Sequence, residues 1–362
     1  MLNTPKLRLS VRLDDRQNQL NSAYDQFISM KHFHSLDGLR CLSILVVIWH
    51  HVAGDQYPID SIWHAGHHGV TLFFVISGFL ITTLLLREKS TFGDISLQQF
   101  YLRRTLRIFP LYYAVILLYV IVVYLIEGPT AYGAAFFDNL IYFVTYTSNY
   151  FVALNGDRVI FYFAWSLAAE EQFYLLWPTI EKWLNERASI LVALCLILMA
   201  LLTKNVNLPI APNSLAYIVL ENVAIPICIG VLLAHVMNHR TSFKLIYTLI
   251  AHRFSALLFA MLICISLTQS VIPLLLTYIM MALLIASAVV TKHSVIYIIL
   301  NSRLAIEVGK VSYGMYLFHM LALNALRRVL PISESFSPLF EVFLFLTTSV
   351  LTFVIAKFSF HY

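Results

Sequence analysis

Long apolar runs separated by short polar connections, many of them basic, set the pattern of the chain. The runs fall at roughly 37–54, 69–87, 108–126, 163–184, 188–203, 215–237, 254–270, 272–291, 311–329 and 339–358. Most are about 17 to 22 residues long, enough at about 1.5 Å per residue to cross about 30 Å of hydrocarbon. They are continuous rather than alternating with period two, which argues against a β-barrel and predicts an all-α, polytopic transmembrane helical bundle. A further run, 138–154, carries hydroxyls and Asn149 in "FVTYTSNYFVALNG". That composition suits a re-entrant segment, whose irregular backbone is tolerated where protein shelters it. The expectation is ten spans plus one re-entrant segment, with a full crossing by 138–154 as the alternative.

Composition strengthens this pattern. Of 362 residues, 60% are hydrophobic and 12% charged, against about 45–50% and about 25% in soluble domains. The mean hydropathy of +0.78 is more than one soluble core absorbs. The net charge of +5 sits in the connections, so it encodes orientation and not a nucleic-acid surface. Arg87, Lys89, Arg103, Arg104 and Arg107 in "REKSTFGDISLQQFYLRRTLRIFP" place that connection, and both termini, in the cytoplasm. Arg327 and Arg328 then stand as an exception on the outer side. Cys41, Cys195, Cys228 and Cys264 lack CxxC spacing and are expected to be small buried side chains. Residues 1–34 show no recognisable signal peptide and read as a flexible cytoplasmic tail with room for one short surface helix, ahead of a membrane domain over 35–362. No internal repeat supports an inverted-repeat transporter.

Ionisable groups inside a span are functional hypotheses by default, because each costs several kcal/mol there. "LDGLRCLSILVVIWHH" (36–51) holds Arg40, His50 and His51. Arg40 and His51 are eleven positions apart, about three turns, so they share one face roughly 16 Å apart along the axis, while His50 is rotated by about 100°. The bland alternative is an arginine snorkelling to lipid phosphate and a histidine packed in the core. His64, His67 and His68 in "WHAGHHG" lie in a short connection without an acidic partner, so no metal site is expected.

Arginine, ten intervening residues, then histidine in the first span resembles the membrane-bound acyltransferase-3 family. Four further stretches resemble it in the family's order: "GVTLFFVISGFLIT" (69–82), "YLRRTLRIFPLYY" (101–113), "WSLAAEEQFYLLWP" (165–178) and "VSYGMYLFHM" (311–320). Ser77–Gly78 in the first of these predicts close helix packing. The resemblance implies an O-acyltransferase that moves an acyl group, acetyl above all, from acetyl-CoA or another acyl-CoA to a hydroxyl of a surface carbohydrate or lipid-linked glycan, in a bacterial inner membrane. The family often continues after a stretch like "FSFHY" with an acidic residue, a proline and a basic tail, and some relatives add an esterase-like extracytoplasmic domain. The sequence up to Tyr362 shows neither, through truncation or divergence. A separate transferase partner is therefore expected.

Such chemistry needs a base, an oxyanion site and anchorage for an anionic donor. His51 suits general base catalysis, with a nucleophilic role as runner-up. Glu170 or Glu171 would orient it; they are about 100° apart, so one is expected to face the core, and Glu170 is preferred. Arg40, Arg103, Arg104 and Arg107 are candidates for the phosphates of coenzyme A. Arg103 and Arg107 are preferred, as i,i+4 neighbours with Arg104 to the side. Ser77, Asn149, Trp165, Ser166, Tyr313 and His319 are expected to line the substrate cavity. Two competing classes are a transporter or flippase using the same Arg, His and Glu, and a non-catalytic partner that kept the scaffold. Acceptor identity and acyl length stay open.

Overall fold

The computed structural model describes residues 5–53, 63–152, 159–206, 210–211, 214–268, 272–330 and 338–361, the side chains of 5–16 and 360–361 excepted. Among them the regular elements are all helical: α1 Pro5–Ser29, α2 His34–Ala53, α3 His68–Phe92, α4 Leu97–Glu127, α5 Ala131–Val144, α6 Ser148–Phe151, α7 Trp165–Trp183, α8 Glu186–Asn205, α9 Leu215–Glu221, α10 Ile225–Asn238, α11 Arg240–Ile250, α12 Ser255–Thr268, α13 Leu274–Val290, α14 Tyr297–Leu300, α15 Arg303–Lys310, α16 Ser312–Val329 and α17 Pro338–His361.

Among the described residues five helical stretches are long and apolar enough to cross a membrane unaided, or seven if the bent pairs α9–α10 (59°) and α11–α12 (77°) each count as one. The ten expected runs nevertheless all fall on helices. α13 is shorter, and α7 and α16 carry charges that dilute their hydropathy, among them Glu170, Glu171, Arg327 and Arg328. Residues 54, 153, 154, 269 and 270 of the expected segments lie outside the described residues.

Contacts between distant segments sort the helix ends. At one end Arg240 pairs with Asp25 (2.9 Å), Lys182 of α7 with Asp94 before α4 (2.6 Å), and Asn301 donates to Ser35 (3.2 Å). Lys357 of α17 lies 3.9 Å from Glu307 of α15 at this same end. At the other end Arg328 of α16 pairs with Glu127 of α4, and Arg327 donates to the His51 and Val52 carbonyls that close α2 (3.1 and 3.0 Å). A cation on those carbonyls opposes the negative end of the helix dipole. That contact and the Glu127 pair account for two arginines that the orientation rule left unexplained.

With the ends so placed, α2 and α4 each run from one end to the other, and α7 and α17 finish at the end where α2 begins. The segment between α4 and α7 leaves and returns at the Glu127 end. α5 runs back along α4, where Tyr112 and Tyr113 donate to the Phe143 and Val144 carbonyls (2.8 and 3.1 Å). The chain then turns at Tyr146, which has a left-handed φ of 53°.

Two expectations need correction. The N-terminal stretch is a 25-residue helix, and its last turns are packed. Phe27 stacks on Phe243 of α11 (5.7 Å), and Arg87 caps the Phe27 and Met30 carbonyls. Of the cysteines, Cys41 and Cys228 are buried, but Cys195 and Cys264 are exposed on outward faces of α8 and α12.

The predicted close packing at Gly78 is present. A Cβ there would lie 2.0 Å from the Ile227 carbonyl oxygen, and one at Gly230 would lie 2.2 Å from that of Val75. Two backbones in contact without intervening side chains give α3 and α10 a rigid seam, the device by which helices associate where lipid competes with apolar contacts. This seam fixes Ser77, one residue away, against α7.

Candidate active site

A cavity of about 520 Å³ opens among α2, α3, α4, α7, α15, α16 and α17. At its charged side stand Arg40, Arg104, Arg107 and Lys310; deeper in are Ser77, Glu170, Glu171 and Tyr313, and beyond them Ser166 and Tyr316. Arg40 lies 3.3 Å from Asp37, and Lys310 3.1 Å from Glu307, each an i,i+3 pair on its own helix. Arg104 lies over the Tyr174 ring, 4.9 Å from its centroid. Among the described residues neither Arg104 nor Arg107 has a carboxylate within 4.0 Å, so two guanidinium groups face the cavity without an anionic partner. Pro110 in α4 also borders the cavity; with no N–H to give, it frees a carbonyl in the preceding turn. Tyr313 reaches this stretch of α4 and donates to the Ile108 carbonyl (3.4 Å).

The carboxylate of Glu170 accepts from both the Ser77 hydroxyl and the Tyr174 hydroxyl. This corrects the expected role: Glu170 is held by α3 and by its own helix, and does not meet His51. Glu170 and Glu171 both line the cavity, whereas one of the two was expected to face away. The cavity is wide enough at α7 to take in both sides of the 100° step.

A layer of hydroxyls closes the far side. The Ser166 and Tyr316 hydroxyls lie 2.7 Å apart, one donating to the other, and both lie within reach of the Phe163 carbonyl oxygen (3.2 and 3.0 Å). Behind Tyr316 sits His319, 1% exposed, with Nδ1 2.5 Å from the Tyr316 carbonyl oxygen. Its ring lies 5.0 Å from that of His51. The Tyr162 hydroxyl approaches His51 Nδ1 at 3.2 Å. Tyr162 follows Phe161, a buried non-glycine residue at φ 71°. Such a conformation costs about 1–2 kcal/mol. The rings of Tyr119 (4.7 Å) and Phe163 (4.9 Å) hold it in place.

The structure thus brings Arg40, Arg104, Arg107, Ser77, Ser166, Glu170, Glu171 and Tyr313 to one cavity and puts His51 and His319 one layer beyond it. Arg103 is excluded. It is exposed, pairs with Glu88 at 3.6 Å, and borders a separate surface depression. The preference for Arg103 with Arg107 fails, because α4 turns the Arg104–Arg107 i,i+3 edge toward α7. Asn149 does not line the cavity either. It exchanges hydrogen bonds with Gln172 (3.1 and 2.9 Å), clamping α6 to α7. Trp165 packs edge-on against Phe74 (5.9 Å), just outside the lining.

Sequence reasoning missed Lys310, Tyr174, Tyr316 and Tyr162. Lys310 stood directly before the "VSYGMYLFHM" stretch, and Tyr174 is four positions, one helical turn, from Glu170. Those spacings were available signals. Tyr162 had none, in a segment crowded with aromatic residues. Among the described residues no group of three His, Cys, Asp or Glu is arranged to hold a metal ion.

Comparison with known proteins places the whole chain. The putative peptidoglycan O-acetyltransferase YrhL of Bacillus subtilis is 26% identical over 359 residues, 92% of this chain and 54% of the relative. The peptidoglycan O-acetyltransferase OatA of Listeria monocytogenes is 34% identical over 161 residues, 41% of this chain and 24% of the relative. A putative O-acetyltransferase of Staphylococcus aureus, SACOL0978, is 33% identical over 168 residues, 43% of this chain and 26% of the relative. The chain therefore matches from about a quarter to about half of the length of these relatives. No solved structure matches it. The family model of the acyltransferase domain matches residues 33–357, from just before α2 into α17. A match over that much of the chain, through every helix of the cavity, makes this protein a member of the acyltransferase-3 family.

Proposed function

We propose that this protein transfers an acetyl group from acetyl-CoA to a hydroxyl of a surface glycan, peptidoglycan or a lipid-linked precursor, with His51 as general base. The observation that carries the reading is the polarity of the site: cations at one end of a cavity, an imidazole beyond its other end, and hydroxyls between. Arg104 and Arg107 bind phosphate oxygens of the donor, helped by Arg40 and Lys310; guanidinium forks suit that geometry. Glu170, Ser77 and Tyr174 form a rigid wall beside the thioester arm. Ser166 and Tyr316 hold hydroxyl protons next to where the carbonyl arrives, and by rotating away from the Phe163 carbonyl they donate to the developing oxyanion. His51, oriented by Tyr162, removes the proton of the acceptor hydroxyl.

The end bearing Arg40, Arg87, Lys89 and Arg104 is cytoplasmic by the distribution of basic residues, and the His51 end faces outward. Donor and acceptor then approach from opposite sides of a bacterial inner membrane. A separate extracytoplasmic transferase carries the acyl group onward where the glycan itself does not reach His51.

Membranes carrying His51→Ala or Arg40→Ala, given radiolabelled acetyl-CoA and soluble muropeptides, test the reading. The expected outcome for His51→Ala is a loss of ester formation of about 10²–10⁴-fold. Wild-type rates in both variants would overturn it. Mass spectrometry of surface glycans with and without the gene identifies acyl group and acceptor together.

A further inference from the structure

On one side, between α4 and α17, the cavity reaches the lipid-facing surface of the bundle. Leu106, Pro110 and Ala114 line it and are exposed. Spaced by four, they form one row along α4. The row continues through Leu117 and Ile121, which are exposed and lie beyond the cavity lining. The core face of α4, with Ile108, Tyr112, Val115 and Tyr119, is on the opposite side of the helix. The cavity therefore wraps from Arg104 and Arg107 onto the face of α4 that meets lipid. Its other border there is Ala356 and Ser359 of α17. Both helices are long and apolar enough to cross a membrane, so the gap between them gives onto hydrocarbon.

This opening stands at the depth of the hydroxyl layer. A Cβ at Gly314 of α16 would lie 3.0 Å from the Ala356 Cβ and 3.5 Å from Leu111 Cδ2, which sets the three residues at one level. α16 and α4 both run from there toward the Arg328–Glu127 pair. Tyr316 is two residues farther along α16, about 3 Å, and Ala114 three residues farther along α4, about 4.5 Å. Ala114 thus borders the place where the donor carbonyl meets Ser166 and Tyr316 in the proposed reaction. Around it Pro110, Leu111 and Ala356 are apolar.

We propose that the opening between α4 and α17 takes the acyl chain of the donor, so that straight apolar acyl groups longer than acetyl, octanoyl included, are also transferred. Ala114 is the residue that sets their passage. The inference rests on the proposed transfer from an acyl-CoA and names the donor class more fully. A donor anchored at Arg104 and Arg107 brings its carbonyl to Ser166 and Tyr316 with Ala114 beside it, so the same anchorage fixes where the chain leaves. That continuity makes the donor the occupant, not a bilayer lipid. The chemistry is that of acetyl transfer. The acceptor oxygen bonds to the acyl carbonyl carbon, the C–S bond breaks with its pair on sulfur, and the acceptor's proton goes to His51. In a closed acyl pocket one methylene more or less changes turnover by about 10–200-fold. Methylenes that pass into hydrocarbon meet no wall, and leaving water favours each of them. A carboxylate at the end of the chain is disfavoured by the same surroundings.

The test uses membranes carrying the full chain, soluble muropeptides, and radiolabelled acetyl-, butyryl-, octanoyl- and succinyl-CoA at equal concentration. Octanoyl ester forming within about tenfold of the acetyl rate supports the proposal, since a closed pocket would lose more than that in one or two methylenes. A larger fall overturns it while leaving the transfer reading intact, and is the result if a bilayer lipid fills the opening. No ester from any donor overturns the transfer reading and this inference with it. Succinyl-CoA, with a chain as long as butyryl but ending in a carboxylate, should be at least about tenfold poorer than butyryl-CoA; equal rates would overturn an exit into hydrocarbon. Ala114→Phe puts a ring in the opening and should lower the octanoyl-to-acetyl ratio about tenfold or more, the acetyl ester reporting that the variant is folded. Ala114→Val, a smaller plug, replaces it if the ring prevents folding. Leu117→Phe, on the same face but beyond the cavity, should leave the ratio as it is. A wild-type ratio in the Ala114 variant, or an equal fall in Leu117→Phe, overturns the route.

Discussion

At the end of the bundle where α2 begins, fixed positive charge surrounds the cavity: Arg40, Arg104, Arg107 and Lys310 come from three helices and converge on one opening. Where α2 ends, six imidazoles and Tyr162 lie ring to ring, and the cations there, Arg327 and Arg328, are engaged by α2 carbonyls and by Glu127. The first end is chemistry for holding an anion. The second carries groups suited to accepting a proton. Between them stands the Ser166–Tyr316 layer, so the stripe from Arg40 to His51 joins two compartments of different purpose rather than lining one pore.

The largest effect that sharpens this contrast is at the charged end. Removing a charge-assisted hydrogen bond costs about 1.5–3 kcal/mol, so Arg104→Ala and Arg107→Ala should each raise the KM for acetyl-CoA roughly 10- to 100-fold. Arg103→Ala should change it less than about twofold, since that side chain faces Glu88 outside the cavity. Steady-state kinetics on the three variants decides; equal effects from all three would mean general surface charge, not a site. Smaller in effect is the dividing layer. Tyr316→Phe removes the hydroxyl that meets Ser166 and the Phe163 carbonyl, leaving groups unpaired at about 1–3 kcal/mol. Acyl transfer should fall about tenfold, with hydrolysis of acetyl-CoA rising relative to ester formed. A variant with unchanged partition would show that the layer is packing alone. Tyr162→Phe is milder, about three- to tenfold in turnover with the KM for acetyl-CoA unmoved, because it leaves His51 in place and removes one neutral hydrogen bond.

How far each end could be read from sequence follows from how it is made. The Arg40–His51 stripe depends only on helical rise and twist, and α2 is one unbroken helix from His34 to Ala53, so the spacing carried over directly. Gly78 was legible for the same reason: a small residue in an apolar helix has few uses besides close approach. Arg103 against Arg104 was not legible. Both spacings to Arg107, four and three, make neighbours on a helix, and which edge faces inward is decided by the rotation of α4 against α7. Glu170 was misassigned because its partners, Ser77 and Tyr174, come from another helix and from a phenol that reads as core packing. Asn149 failed similarly: its amide fits a cavity or a clamp equally well until Gln172 is seen beside it. The histidine cluster was hidden most completely. His64 and His67 read as an exposed connection, and only the seating of Gly66 on α2 brings them onto His50.

The smallest effect belongs to charge at the same end as the cavity but outside it. Lys182 donates to Asp94 (2.6 Å) and to the Ile95 carbonyl (2.6 Å), closing the α3–α4 connection onto α7. The Lys182 ammonium, and then the Ile95 backbone N–H, hold the Asp94 carboxyl below its usual range. A carboxyl depressed in the folded state contributes stability above its unfolded pKa of about 4, and that contribution is lost as pH falls through the lower folded value. Asp94→Asn should therefore lower the Tm of the solubilised protein at pH 7 by about 1 °C or less, as expected for an exposed pair. Turnover should not change, and the gap in Tm should close in acid. A gap that persists in acid would assign the effect to lost packing or hydrogen bonding. A loss of donor affinity as large as that of Arg104→Ala would mean that charge at this end is architectural throughout. The contrast between an anion-holding end and an imidazole-rich end would then lose its first half.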